Sequence, residues 1–159
     1  MIISFAGHSI INSSKMLKEA VKEQIRNNIS DTEKVIFYLG GYGDFDEICA
    51  YACKELRQEY TNMETVYVTP YLSLSAQEKI KEMQKCGLYD ITIYPPIENV
   101  PKKFAILRRN KWMIENSDLV ITYVKHTYGG AYKSLKIAKQ KKKKTINIYD
   151  LIKKDNGGE

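Results

Sequence analysis

The chain has 159 residues, 43% of them hydrophobic, and a formal charge of +6. That length suits a single domain with a continuous core that needs neither disulfides nor a metal, and no apolar run approaches the roughly 20 residues that cross a bilayer. The positive excess is local: Lys133, Lys136, Lys139 and the run Lys141-Lys142-Lys143-Lys144 crowd the C-terminal part, a pattern typical of a solvated helix end, so direct nucleic-acid binding is not expected. Cys49, Cys53 and Cys86 lack metal-ligand spacing, and His8 and His126 stand apart. No metal and no cofactor is therefore expected. Residues 1–5 open as a strand rather than a signal peptide, which leads to the expectation of a soluble, cytoplasmic protein without membrane association.

In chain order, Ile2-Ile3-Ser4-Phe5-Ala6 reads as a first strand that closes in the turn Gly7-His8-Ser9. A helix from Ser13 or Ser14 to about residue 27 follows, with Met16, Leu17, Ala20, Val21 and Ile25 at three- and four-residue spacing. Val35-Ile36-Phe37-Tyr38-Leu39 has the β-branched and aromatic content of a buried strand. It collapses into Gly40-Gly41-Tyr42-Gly43 and restarts as a helix over about residues 44–60. Such a turn directs free N–H groups and the positive end of a helix dipole at one point, which suits an anion, although glycine turns also serve as simple punctuation. Asp46 and Glu47 lie in its first turn, where an acid can cap the helix, repel a phosphate or receive ribose hydroxyls, with Asp44 just before them.

Residues 64–69 form a third strand, ended by Pro70-Tyr71, and Ser73 or Ser75 is placed to cap a helix over residues 76–85. Tyr71 then lies at a strand's carboxyl end, where a tyrosine can stack on a base or simply wet its hydroxyl. Residues 90–94 form a shorter strand stopped by Pro95-Pro96, and residues 97–103 make the one long irregular connection. A helix over about residues 104–116 carries Arg108-Arg109-Asn110-Lys111-Trp112-Met113. The strand over residues 118–124 then runs into a second glycine turn, Tyr128-Gly129-Gly130-Ala131, and a helix over residues 132–141. Residues 145–149 are the last strand, after which residues 153–159 are expected to fray.

Six strands alternating with five helices specify an α/β fold: a single Rossmann-like, doubly wound, mainly parallel sheet of about six strands with helices on both faces, over residues 1–152. Ligands of such sheets sit outside the strands' carboxyl ends. Gly7, His8, Ser9, the first glycine turn, Tyr71 and the second glycine turn all fall on that edge.

Taken together, Gly40-Gly41-Tyr42-Gly43-Asp44-Phe45-Asp46, Arg108 to Met113, the strand at 117–124 and Tyr128-Gly129-Gly130-Ala131 resemble the SLOG superfamily of Rossmann-like proteins. That superfamily includes the lonely-guy phosphoribohydrolases, the DprA (Smf) fold, the sensor domain of the Thoeris effector ThsA and small stand-alone YpsA-like proteins, which this chain resembles most. The resemblance implies a nucleotide-derived ligand: a nucleoside monophosphate, ADP-ribose or a cyclic ADP-ribose signal, held by a sensor or sequestering protein. In that picture Arg109 and Lys133 neutralise phosphate beside Arg108 and Asn110, the Gly129 and Gly130 amides cradle it, and Tyr71 or Tyr128 stacks on a base. Arg108 and Arg109 on a solvated helix face is the bland alternative.

The lonely-guy enzymes are similar in the arginine and following methionine, here Arg109 and Met113. Their catalytic glutamate one strand later has no counterpart, since Lys133 and Lys136 occupy that region. An N-glycosidic hydrolase would therefore have to recruit Asp44, Asp46 or Glu47, with Asp46 or Glu47 as the acid or base. The family also implies a homo-oligomer, a dimer or larger. A DprA-like nucleic-acid binder is the third reading.

Overall fold

The computed structural model describes residues 1–12 and 14–157. Its strands are β1 (Ile2–Gly7), β2 (Val35–Leu39), β3 (Met63–Val68), β4 (Ile91–Ile93), β5 (Leu119–Tyr123) and β6 (Lys144–Asn147). They form one six-stranded sheet in the order β4-β3-β2-β1-β5-β6, with every neighbouring pair parallel. The helices are α1 (Ser14–Asn28), α2 (Asp44–Glu59), α3 (Leu74–Lys85), α4 (Ala105–Glu115), α5 (Gly129–Gln140) and α6 (Ile148–Asp155). Right-handed crossovers place α1, α2 and α3 on one face while the chain steps from β1 to β4, and α4 and α5 on the other when it returns past β1. This is the doubly wound α/β architecture the alternation specified.

Alternation along each strand divides the core. Ile3, Phe5, Val35, Phe37, Leu39, Leu119 and Ile121 face α1 and α2, where Leu17, Val21, Ile25, Cys49, Cys53 and Leu56 meet them. Tyr38, Val66 and Val68 face the other way onto Met113 and Trp112 of α4, with Tyr38 and Trp112 stacked at 5.5 Å between ring centroids. Val120 packs on Ile114 and Ala138, which joins α4 to α5. Two cysteines are thus ordinary core residues, and Cys86 is exposed.

Differences from the sequence expectation concentrate at element ends. Met16 is 60% exposed rather than part of the α1 core stripe, and Ser13 lies outside the described residues. Ser73 is the α3 cap, its Oγ accepting from the Ala76 N–H at 3.3 Å, so α3 begins at Leu74. The α5 helix begins at Gly129, three residues earlier than expected, which turns the second glycine pair into helix backbone. The last strand stops at Asn147 and Ile148–Asp155 is a helix, not strand followed by a frayed end. Asn147 causes the switch: its side chain accepts from the Val124 N–H at 2.9 Å and donates to the Val124 carbonyl at 3.0 Å, which ends the β5 and β6 pairing. Ile148 then turns inward, fully buried, and α6 packs beside α1. Among the described residues no helix is long and apolar enough to cross a membrane.

The α5 helix ends in a Schellman arrangement, with the Lys143 N–H donating to the Ala138 carbonyl at 3.0 Å and the Lys142 N–H to the Lys139 carbonyl at 3.1 Å. Lys142 occupies the position that normally takes glycine and has φ of 55°. A side chain there strains the left-handed backbone. Lys142→Gly is expected to raise stability by about 1 kcal/mol, read as a higher urea midpoint at unchanged slope; an unchanged or lower midpoint would show that the strain is relieved elsewhere.

Candidate functional site

The sheet order reverses between β1 and β5, and the crevice at their carboxyl ends is the topological switch point where such sheets hold ligands. A cleft of about 580 Å³ opens there. Gly7, His8 and Ser9 form one wall, Gly43 and Asp46 a second, Arg109 and Asn110 a third, and Tyr128, Gly129, Gly130 and Ala131 the fourth. These residues are far apart in sequence and are brought to one place by four different connections.

Arg109 is the most enclosed polar residue of the cleft, 1% exposed. The apolar members of its helix put it there: Trp112 and Met113 dock α4 on β2 and β3, and Arg109, one turn before Met113, then points at their ends. Its Nη1 donates to the Gly40 carbonyl and to the Val68 carbonyl, each at 2.6 Å, and its Nε to Asn110 Oδ1 at 2.8 Å. No carboxylate lies within salt-bridge distance among the described residues. A Cβ at Gly40 would stand 3.0 Å from Arg109 Cζ, Arg109 Nη2 and Asp46 Oδ2 alike, so a side chain there would displace both groups.

Asp46 accepts from the Tyr42 N–H at 2.9 Å. Burial pushes its carboxyl up to about 6, against the opposing influence of Arg109, the Tyr42 N–H and Lys79. His8 is shifted the other way: burial first, then His126 and Lys125, lower its pKa. Neutral His8 is useful, since its Nε2 accepts from the Lys125 N–H at 2.7 Å and so fixes the loop that leads to Tyr128. His126 stacks on Tyr128 at 5.0 Å and 16°.

The two glycine turns have different fates. At α2, the Asp44 N–H donates to the Ser9 carbonyl at 2.9 Å and the Phe45 N–H to the His8 carbonyl at 3.3 Å. Asp44 returns the contact by accepting from the Ile11 N–H at 2.7 Å. That helix start is therefore occupied by the chain itself. At α5, the Gly129, Gly130 and Ala131 N–H groups have no hydrogen-bond partner among the described residues, the first turn carries no acid, and a Cβ at Gly129 or Gly130 would meet nothing within 4 Å. One turn inward, Ser134 lines the cleft with a fully buried Oγ that has no partner among the described residues.

The remaining candidates lie outside the cleft. Gly40 and Gly41 sit behind it, their carbonyls held by Arg109 and by Lys79 at 2.7 Å. Glu47 lines a separate groove between α1 and α2 with Lys15, Lys18 and Tyr51, so it is not a partner of Asp46. Arg108 and Lys133 are exposed, and Tyr71 belongs to a neighbouring cavity. The lysine run begins β6 and is at the opposite, amino edge of the sheet. Ser134, His126 and Lys79 were not singled out by the sequence; for Ser134 the available signal was its place four residues before inward-facing Ala138.

Fold and cleft together define a doubly wound Rossmann-like domain with a pocket at its switch point. The chain belongs to the YspA SLOG family (YpsA), whose model matches residues 11–156. Among solved structures it is similar to DNA processing protein A (DprA) from Streptococcus pneumoniae, with TM-score 0.62 and 15% identity over 96% of this chain and 56% of that one. It is also similar to DNA processing protein A from Helicobacter pylori, a structure reported for its single-stranded DNA binding mode, with TM-score 0.59 and 15% identity over 100% of this chain and 74% of that one. The chain thus spans little more than half the length of the first of these proteins. No curated protein matches the sequence.

The raised Asp46 pKa has a definite sign. A carboxyl that holds its proton to about 6 when folded, against 3.8 ordinarily, stabilises the fold when protonated and loses that contribution as pH rises between those values. Asp46→Asn is expected to remove a stability loss of roughly 2 kcal/mol across that interval. His8 contributes oppositely in wild type and variant alike and cancels in the difference of their urea midpoints. Parallel pH profiles for the two proteins would refute the assignment.

Proposed function

We propose that the switch-point cleft binds a nucleotide-derived ligand, of the nucleoside monophosphate, ADP-ribose or cyclic ADP-ribose type, in a protein that senses or sequesters it. The observation that carries this reading is the pairing of the unoccupied N–H groups of Gly129, Gly130 and Ala131 with the orphaned, fully buried Ser134 Oγ. Free helix N–H groups and a dipole favour a phosphoryl group. A buried hydroxyl without a partner costs stability, and a ligand oxygen above it removes that cost. Arg109 adds fixed positive charge, and the stacked His126 and Tyr128 offer an aromatic wall for a base. Family membership supports the same reading.

A second reading, N-glycosidic cleavage, has Asp46 in its favour: a carboxyl in the cleft that retains its proton to about 6 is suited to general acid catalysis. The Helicobacter pylori relative favours a third, nucleic-acid reading. Against it, the lysine-rich run of this chain lies on the edge away from the cleft.

The test is to incubate the purified protein with AMP, ADP-ribose, cyclic ADP-ribose isomers and other nucleoside monophosphates and to analyse retained and free fractions by chromatography. Recovery of an intact nucleotide from the protein is expected. Release of free base would establish the hydrolase instead, and absence of both would overturn the cleft assignment. Gly130→Ala should reduce retention at least ten-fold, because its methyl group enters open cleft space, while helix stability rises by about 0.5–1 kcal/mol. Unchanged retention in a folded variant would remove α5 from the site.

A further inference from the structure

Tyr42 lines the cleft and also a second cavity of about 340 Å³ at the carboxyl end of β3. Tyr71, Ser73, Ser75, Lys79 and Lys102 complete that cavity. Seven cations elsewhere in the molecule, Lys18, Lys22, Arg26, Lys34, Arg57, Lys111 and Lys141, have a carboxylate partner. Around Tyr42, three cations face aromatic rings instead. Lys79 Nζ sits 3.6 Å from the Tyr42 ring centroid, Arg109 Cζ lies 5.7 Å from it, and Lys102 Nζ lies 5.8 Å from the Tyr71 ring, which meets Tyr42 edge-on at 6.2 Å. Among the described residues none of these three cations has a carboxylate within salt-bridge distance.

Unpaired lysine at a surface is ordinary, but Lys79 is half-buried. Its ammonium is held by the Gly41 carbonyl at 2.7 Å and the tyrosine face, and burial lowers its pKa. A desolvated cation without an anion is an incomplete arrangement, and a phosphoryl group completes it. The cavity can also receive that group by neutral donors. The Leu74 and Ser75 N–H groups have no partner among the described residues, and the Ser73 and Ser75 hydroxyls lie 3.2 Å apart.

We propose that this cavity is a second anion subsite, so that the ligand carries two phosphoryl groups separated by a nucleoside, one over α5 and one between Lys79 and Lys102. The inference rests on the reading of the cleft as a nucleotide site. A pyrophosphate does not fit the arrangement, since its two phosphorus atoms share one oxygen and are too close to lie on either side of a tyrosine ring. A 5′-phosphorylated dinucleotide carries a nucleoside between its two phosphoryl groups, as a ligand reaching past the shared Tyr42 must.

Isothermal titration of AMP, ADP-ribose and the dinucleotide pApA, with GMP and pGpG to control for the base, tests this on the wild-type protein, Lys102→Gln and Lys79→Gln. At least one dinucleotide should bind about ten-fold tighter than its monophosphate, as expected for one added charge-assisted contact. Lys102→Gln should erase that advantage and leave monophosphate binding unchanged; its exposed side chain makes loss of folding a remote explanation. Lys79→Gln should act likewise, and the salt dependence of dinucleotide binding should become shallower in either variant. Equal affinity for dinucleotide and monophosphate overturns the second subsite while the cleft reading stands. A lysine-dependent gain for ADP-ribose overturns the assigned spacing. If no nucleotide binds, the cleft reading fails, and this inference with it.

Discussion

A buried guanidinium holds the carboxyl edge of this sheet together. Arg109 is removed from water with no carboxylate among the described residues in salt-bridge contact, and two strand-end carbonyls, Gly40 and Val68, take hydrogen bonds from one of its nitrogens. Hydrogen bonds to a charged donor are worth more than neutral ones, and carbonyls at the ends of β2 and β3 would otherwise lack ladder partners. Its position dictates the neighbouring residue choices. The guanidinium and the Asp46 carboxyl close over Gly40, where a side chain would crowd both, and Tyr42 turns its ring toward the same charge. Arg109 is thus a structural tie that also lines the cleft, so its positive charge is fixed before any ligand arrives.

The tie explains a division of labour between two helix starts that look alike in sequence. Both follow a glycine turn, and both present the positive end of a dipole. The α2 start is closed by carbonyls of the β1 connection and carries Asp44, Asp46 and Glu47 in its first turn. Those acids stabilise the helix and repel an incoming anion. The α5 start has no acid in its first turn and no internal acceptor among the described residues, and open space lies above its glycines. Electrostatics and hydrogen-bond accounting therefore agree on α5 as the helix start whose N–H groups stay free among the described residues, although the first turn has three glycines and the second has two.

Most of the architecture was legible because strands with buried faces alternate and because glycine or proline marks their ends. Ile3 and Phe5, Val35 and Phe37, and Leu119 and Ile121 each announce a core face at a spacing of two. The α6 helix was hidden because Ile146-Asn147-Ile148-Tyr149 itself alternates. Only the bond from Asn147 back to β5, a contact across 23 residues, shows where strand becomes helix. The cleft was legible as an edge but not as a membership. Asp46 and Glu47 are adjacent in sequence yet about 100° apart around a helix, so one enters the cleft and the other a different groove. Ser134 and Lys79 gain significance only from what topology places next to them.

The net charge of +6 turns out to describe the wrong end of the molecule. Lys141 is paired with Glu115, Lys143 donates to the Glu115 carbonyl and Lys144 to Asn28, all at the amino edge of the sheet. Within the cleft the balance is set by buried Arg109 against Asp46, whose proton is held to about 6. An anion placed beside Arg109 would also be a like charge near Asp46, and a like charge raises a carboxyl's pKa further. Anion binding there would be coupled to proton uptake through one side chain. Local pairing, not overall composition, decides what such a cleft accepts.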